Sequence, residues 1–188
     1  EVYTAIATIR KNADEWFIDR DKIAVCGFSA GGHLTASTGA YWNEEFVKRD
    51  LGFTDEHKPN ALILSYPVIS AGEWAHKGSF RNLLGKEEPT KEDIEYFSIE
   101  NRVTSDFPRS FIWHTTTDSV VPVMNSILLG EALAKNKILF EMHIYPKGPH
   151  GLSLSNHITA KEGSCPPQKV TAWVKDSIDF LNDYAYNY

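Results

Sequence analysis

Between the apolar run Lys22-Ile23-Ala24-Val25-Cys26-Gly27 and a helical stretch from His33 to Lys48 lies Gly27-Phe28-Ser29-Ala30-Gly31, a G-x-S-x-G pattern. As a bare pattern it is common. Placed between a strand and a helix it acquires mechanics. The serine sits on a sharp, strained turn, and small neighbours let strand and helix approach each other. Its Oγ then projects above the carboxyl end of the sheet, where open α/β folds place ligands. The backbone N–H of Ala30, aided by the helix N-terminus, points to the same spot and supplies half of an oxyanion hole.

The rest of the chain repeats the alternation. Lys22 to Gly27 reads as a strand buried on both faces, followed by a second buried strand at Ala61 to Tyr66 and further strands at Ser110 to Thr115 and Leu139 to Tyr145. Helical spacing predicts helices over 2–17, 33–48, 123–136 and roughly 167–184. Strands alternating with helices of this length imply an α/β fold, its sheet mostly parallel and covered by helices on both faces. One domain, 1–188, is the economical count. The polar, aromatic stretch from about 70 to 108, with a short helix at 90–97, has the character of a cap-like insertion over a site.

A serine of this kind needs a base and an acid, and in such a fold they follow in the order Ser, Asp or Glu, His, each on a loop after a strand. Asp118 follows the third strand, in Thr117-Asp118-Ser119-Val120-Val121-Pro122, and His150 follows the fourth, in Pro146-Lys147-Gly148-Pro149-His150-Gly151. Asp118 would hold the imidazole in one tautomer and stabilise the imidazolium. Asp106 precedes its strand and so lies at the wrong end. Among the other histidines, His114 and His143 fall within strands as packed or sheet-facing residues. His33 caps or packs at the helix start, and His57, His76 and His157 sit solvated in polar loops.

Composition narrows the partners. A net charge of -6 without a basic patch argues against nucleic acid and anionic membranes. No apolar run approaches the roughly 18 to 20 residues of a membrane span, and no signal peptide is visible. Cys26 and Cys165 form neither a disulfide framework nor a zinc motif, and Cys26 reads as a small buried hydrophobe. The expected setting is therefore cytoplasmic. Neither a metal nor an organic cofactor is implied, and a homo-oligomer is left open.

Cys26-Gly27-Phe28-Ser29-Ala30-Gly31-Gly32-His33-Leu34, Trp113-His114-Thr115 through Asp118 with Val121-Pro122, and Tyr145 through Leu152 resemble the α/β-hydrolase esterase/lipase family. The nearest branch in these motifs is the bacterial acetyl esterases and acetylxylan esterase-like enzymes. The resemblance implies deacylation of a small-molecule ester, often an acetyl group on a sugar, through an acyl-enzyme on Ser29. Phe28 and Trp74 are candidate substrate-binding residues, with Phe80 and Tyr96 as further aromatics able to line a pocket. Peptidases of the prolyl-oligopeptidase type share a similar elbow and Asp loop, so peptide cleavage is an alternative, as is a silent hydrolase-like binding module. Family members carry further strands and a His-Gly-Gly-type loop ahead of the elbow. The expectation is thus the C-terminal two-thirds of the fold, since Lys22 to Gly27 would otherwise be a raw apolar sheet edge.

Overall fold

The computed structural model describes residues 1–52, 54–160, 167 and 169–186, and of Asp50 and Leu51 the backbone alone. Cys165 lies outside the described residues. Four strands, β1 (Ala24–Phe28), β2 (Ala61–Ser65), β3 (Arg109–Thr115) and β4 (Phe140–Tyr145), form one parallel sheet in the order β1-β2-β3-β4. The central strand β2 is buried along its whole length, as a sheet covered on both faces requires.

Alternation along the strands sorts the core into two layers. Leu62 and Leu64 of β2 and Ile112 of β3 face helices α2 (Ala30–Tyr41) and α6 (Met124–Lys135), packing with Ala36, Leu129 and Leu133. Ile63, Phe111 and Trp113 point to the other face, where Val170, Trp173 and Phe180 cover them. Trp173 opens α7 (Trp173–Phe180) and stacks on Trp113 with ring centroids 5.4 Å apart. The buried Trp113 Nε1–H donates to Ser65 Oγ at 2.8 Å, so the largest core side chain leaves no polar atom unpaired.

Several helices depart from the spacing that suggests them. The first, α1 (Val2–Lys11), ends well before residue 17. Phe17 takes a left-handed φ of 55° and is almost wholly exposed, so the apolar residues at 16 and 17 do not continue its buried face. The stretch 33–48 divides into α2, which starts earlier at Ala30, and α3 (Glu45–Leu51), because Glu44 is extended. The last helix is a 3-10 turn at Val170–Ala172, then α7, then a π-helical turn at Leu181–Ala185.

The segment 70–108 holds α4 (Lys77–Leu84) and α5 (Lys91–Phe97). Thr90 and Asp93 form a capping box at the start of α5, which matches the helix expected there. Tyr41 on α2 stacks on Tyr96 at 5.1 Å and donates its hydroxyl proton to the Tyr96 carbonyl, fixing α5 over α2.

Strand β1 corrects one expectation. Its side chains are half-buried or exposed apart from Gly27, not buried on both faces, and among the described residues it pairs only with β2, as an outer strand. Cys26 is accordingly exposed rather than a buried hydrophobe.

Candidate active site

Ser29 sits between β1 and α2 at φ 55° and ψ -121°, a conformation that costs a non-glycine residue about 1 to 3 kcal/mol. The surroundings over-determine it. The Ser29 N–H donates to the Ser65 carbonyl at 3.0 Å, and its own carbonyl accepts from Gly32 N at 2.9 Å and Val68 N at 3.0 Å. A Cβ on Gly27 would lie 2.2 Å from the Gly31 carbonyl oxygen and 2.2 Å from Thr35 Oγ1. On the helix side the close approach falls on Gly32, whose Cβ would meet Pro67 Cβ at 2.6 Å, whereas a Cβ on Gly31 would meet nothing within 4 Å. The glycines that let strand and helix approach are therefore Gly27 and Gly32. Gly31 of the pattern is not constrained by packing.

The loops after β3 and β4 bring Asp118 and His150 to this serine. His150 Nε2 lies 2.7 Å from Ser29 Oγ, and His150 Nδ1 lies 2.6 Å from Asp118 Oδ2. Asp118 Oδ1 accepts the N–H groups of Val120 and Val121, both at 2.9 Å. Burial pushes the Asp118 carboxyl upward, but hydrogen bonds from His114, His150, Val121 and Val120 outweigh it and hold the group well below the usual carboxylate range. It is therefore an acceptor only, so His150 carries its proton on Nδ1 and presents Nε2 as the acceptor for Ser29 Oγ–H. Asp106 is exposed and precedes β3, at the far end of the strand.

Two further residues frame this relay. Tyr66, just after β2, sets its ring edge-on to His150 at 5.0 Å and accepts the Ser153 N–H at 3.0 Å. Its φ of 38° is unusual for an aromatic residue, and it aims the ring at His150. His114 stands 3.4 Å from Asp118 through Nε2. The sequence does carry a signal for it: a histidine inside an otherwise apolar buried strand needs a polar partner. The remaining histidines stay apart. His33 bonds the Phe97 carbonyl at 3.0 Å, His143 bonds Glu141, and His76 caps α4.

Next to Ala30 opens an apolar cleft of about 440 Å³ between α2 and the insertion, with Leu34, Tyr41, Phe80, Leu83 and Tyr96 in its wall. Phe80 and Tyr96 thus line a cavity as their aromatic character suggests. Trp74 and Phe28 do not line it. Trp74 is partly exposed outside it, its carbonyl held by Asn125, and Phe28 packs beneath the elbow against Tyr66 and Trp173. Strand alternation turns Phe28 to the α7 face, away from the cleft. The Ala30 N–H, first in α2, makes no hydrogen bond among the described residues, and Ala30 itself lines the cleft. Among those residues no cluster of His, Cys, Asp or Glu is placed to hold a metal ion, and no helix is long and apolar enough to cross a membrane.

A parallel sheet with helices on both faces, a serine elbow after one strand and two later loops converging on it define an α/β-hydrolase. The chain belongs to the BD-FAE family, whose model matches residues 1–133. It is 41% identical over 156 residues to endo-1,4-beta-xylanase B of Butyrivibrio fibrisolvens, a match covering 83% of this chain and 24% of that protein. It is 34% identical over 157 residues to the acetylxylan esterase of Xylanibacter ruminicola, covering 80% of this chain and 30% of the relative. The acetyl ester-xyloside bifunctional hydrolase of Caldicellulosiruptor lactoaceticus superposes with a TM-score of 0.82 at 35% identity, over 98% of this chain and 65% of that structure. The chain thus spans under a third of these curated relatives.

Proposed function

We propose that this chain carries the active site of a serine carboxylesterase acting on short, acetyl-sized esters of carbohydrates. The observation behind this reading is the continuous relay from Ser29 Oγ through His150 to Asp118, with links of 2.7 and 2.6 Å. In this reading Ser29 Oγ attacks the ester carbonyl carbon while His150 Nε2 takes its proton. Asp118 keeps the ring oriented and stabilises the imidazolium. The oxyanion forms against the Ala30 N–H, at the positive end of α2. His150 then protonates the leaving alcohol oxygen as the tetrahedral carbon expels it. Water, deprotonated by the same imidazole, attacks the acyl-enzyme and releases the acid, returning Ser29 to its starting state.

The carbohydrate part of the proposal is supported by the names of the acetylxylan esterase and the acetyl ester-xyloside hydrolase. The xylanase match covers only 24% of that protein, so its name describes much more than the part resembled here.

The test is hydrolysis of p-nitrophenyl acetate, butyrate and octanoate and of acetylated xylo-oligosaccharide, by this chain and by any longer chain containing it. Ser29→Ala and a dipeptidyl p-nitroanilide run alongside. Acetate turnover that vanishes in the variant supports the esterase. Faster cleavage of the anilide, or no Ser29-dependent ester turnover, sinks it.

A further inference from the structure

Asp118 is approached by a second imidazole that the proposed relay does not use. His114, near the end of β3, is fully buried. Its Nε2 lies 3.0 Å from the Val121 carbonyl oxygen and 3.4 Å from Asp118 Oδ2. Both are acceptors, so Nε2 carries a proton, hydrogen-bonded to the Val121 carbonyl with Asp118 Oδ2 as its second, longer contact. On the other side of the ring Ser126 Oγ, 2.8 Å from Nδ1, donates its hydroxyl proton. The division on Asp118 is then clear. Oδ1 takes two backbone N–H groups, and Oδ2 meets both histidines.

We propose that His114 is a positioning residue, donating to the same carboxylate oxygen that holds His150 and so setting how strongly Asp118 draws on His150. This role rests on the serine-esterase reading of the site. A carboxylate oxygen with two donors offers each less negative charge than it would offer one alone. With His114 in place, Asp118 stays ionised and fixed but pulls less hard on the His150 proton. The titratable groups facing Asp118 are His114 from β3, His150 from the loop after β4 and Tyr66 from the end of β2. Val120 and Val121 contribute only backbone N–H groups, and Ser126 of α6 reaches His114 alone. The simpler role, in which His114 merely ties down the loop through Val121, predicts no change in pH dependence when the imidazole is lost.

The experiment compares wild type, His114→Leu, His114→Gln and Ser126→Ala. Each is measured as a pH profile of kcat/KM on p-nitrophenyl acetate and as an NMR titration of the His150 ring. Leucine fills the volume without a donor, while glutamine returns an amide N–H near the position of Nε2. In His114→Leu the acid limb and the NMR midpoint should both rise by about 0.5 to 1 pH unit. Its kcat should fall about tenfold or more with KM little changed. Glutamine should restore most of both effects, and Ser126→Ala, which weakens the donor without removing it, should shift them the same way by less. Unshifted midpoints in folded His114→Leu overturn the proposal. If leucine prevents folding, unshifted midpoints in Ser126→Ala overturn it. Absence of Ser29-dependent turnover in wild type sinks the esterase reading and this role with it. Turnover with unshifted midpoints sinks this role alone.

Discussion

Gly32 and Pro67 are packed so closely that a Cβ on the glycine would stand 2.6 Å from the proline Cβ and 2.8 Å from its Cα. One residue further on, the Val68 N–H donates to the Ser29 carbonyl at 3.0 Å. The first turn of α2 is thus wedged against the loop leaving β2, and this wedge holds Ser29 in its strained conformation. The same loop carries Tyr66, whose ring abuts His150. Elbow and imidazole are therefore positioned from one piece of backbone, so a disturbance there reaches both.

Gly32→Ala should be destabilising where Gly31→Ala is not. The alanine methyl at 32 must displace backbone as well as a rigid proline ring, an overpacking cost of about 1 to 3 kcal/mol. At 31 the methyl meets nothing within 4 Å, and alanine is the better helix former by up to about 1 kcal/mol. Thermal melts of the two variants decide it. A Tm for Gly32→Ala equal to that of Gly31→Ala would remove the wedge from the account.

Asp118→Asn should keep the fold and lose the proposed activity. The two valine N–H groups claim the amide oxygen, which turns the amide NH₂ toward His150 Nδ1. Two donors then face each other, so His150 moves its proton to Nε2 and cannot accept from Ser29. By analogy with the same change in another serine hydrolase, kcat should fall about 10⁴-fold with KM little affected. A loss under tenfold would mean that Asp118 does not set the tautomer.

The same carboxylate gives the protein a specific acid sensitivity. Its folded-state value is depressed, so the ionised form stabilises the fold. That stabilisation is complete above the unfolded value of about 3.9, declines as pH falls below it and is gone beneath the folded value. The Tm difference between wild type and Asp118→Asn should therefore narrow as pH drops below about 4. A difference that is constant from pH 7 to 3 would contradict the depressed carboxyl.

The sheet and the relay were legible for a physical reason. The strands of a parallel sheet read as short apolar runs, and all four fall within two residues of their observed limits. Ser29, Asp118 and His150 follow from the order of loops after those strands. What periodicity missed lies where local backbone overrides it. The helix α4 is only eight residues long, with Gly78 inside it and Gly85 at its end, so its apolar positions Phe80, Leu83 and Leu84 span too few turns to mark a helix. The pattern over 2–17 stops at Lys11 with Asn12 as its cap, and the extended Glu44 breaks the pattern over 33–48. Aromatic character makes Phe28 and Trp74 candidates for substrate contact without reporting which face a residue takes, and neither lines the cleft beside Ala30. Position alone makes His114 a packed strand residue, because nothing in its spacing shows that the loop after β3 folds back onto it.

The cleft beside Ala30 yields the remaining prediction. Leu83 lies in its wall on α4 and is more than half exposed, so it carries little of the core. Leu83→Trp should narrow the cavity while changing stability by no more than about 0.5 kcal/mol. If a bound acyl chain runs into this cleft, the longer ester suffers most, because added methylenes lose both space and apolar contact. The ratio of kcat/KM for p-nitrophenyl octanoate over acetate should fall about tenfold. Equal loss on both esters would place the acyl group elsewhere and leave the cleft to the alcohol side of the substrate. Acetate is the informative reference, since its acyl part is a single methyl group with no added methylenes to accommodate.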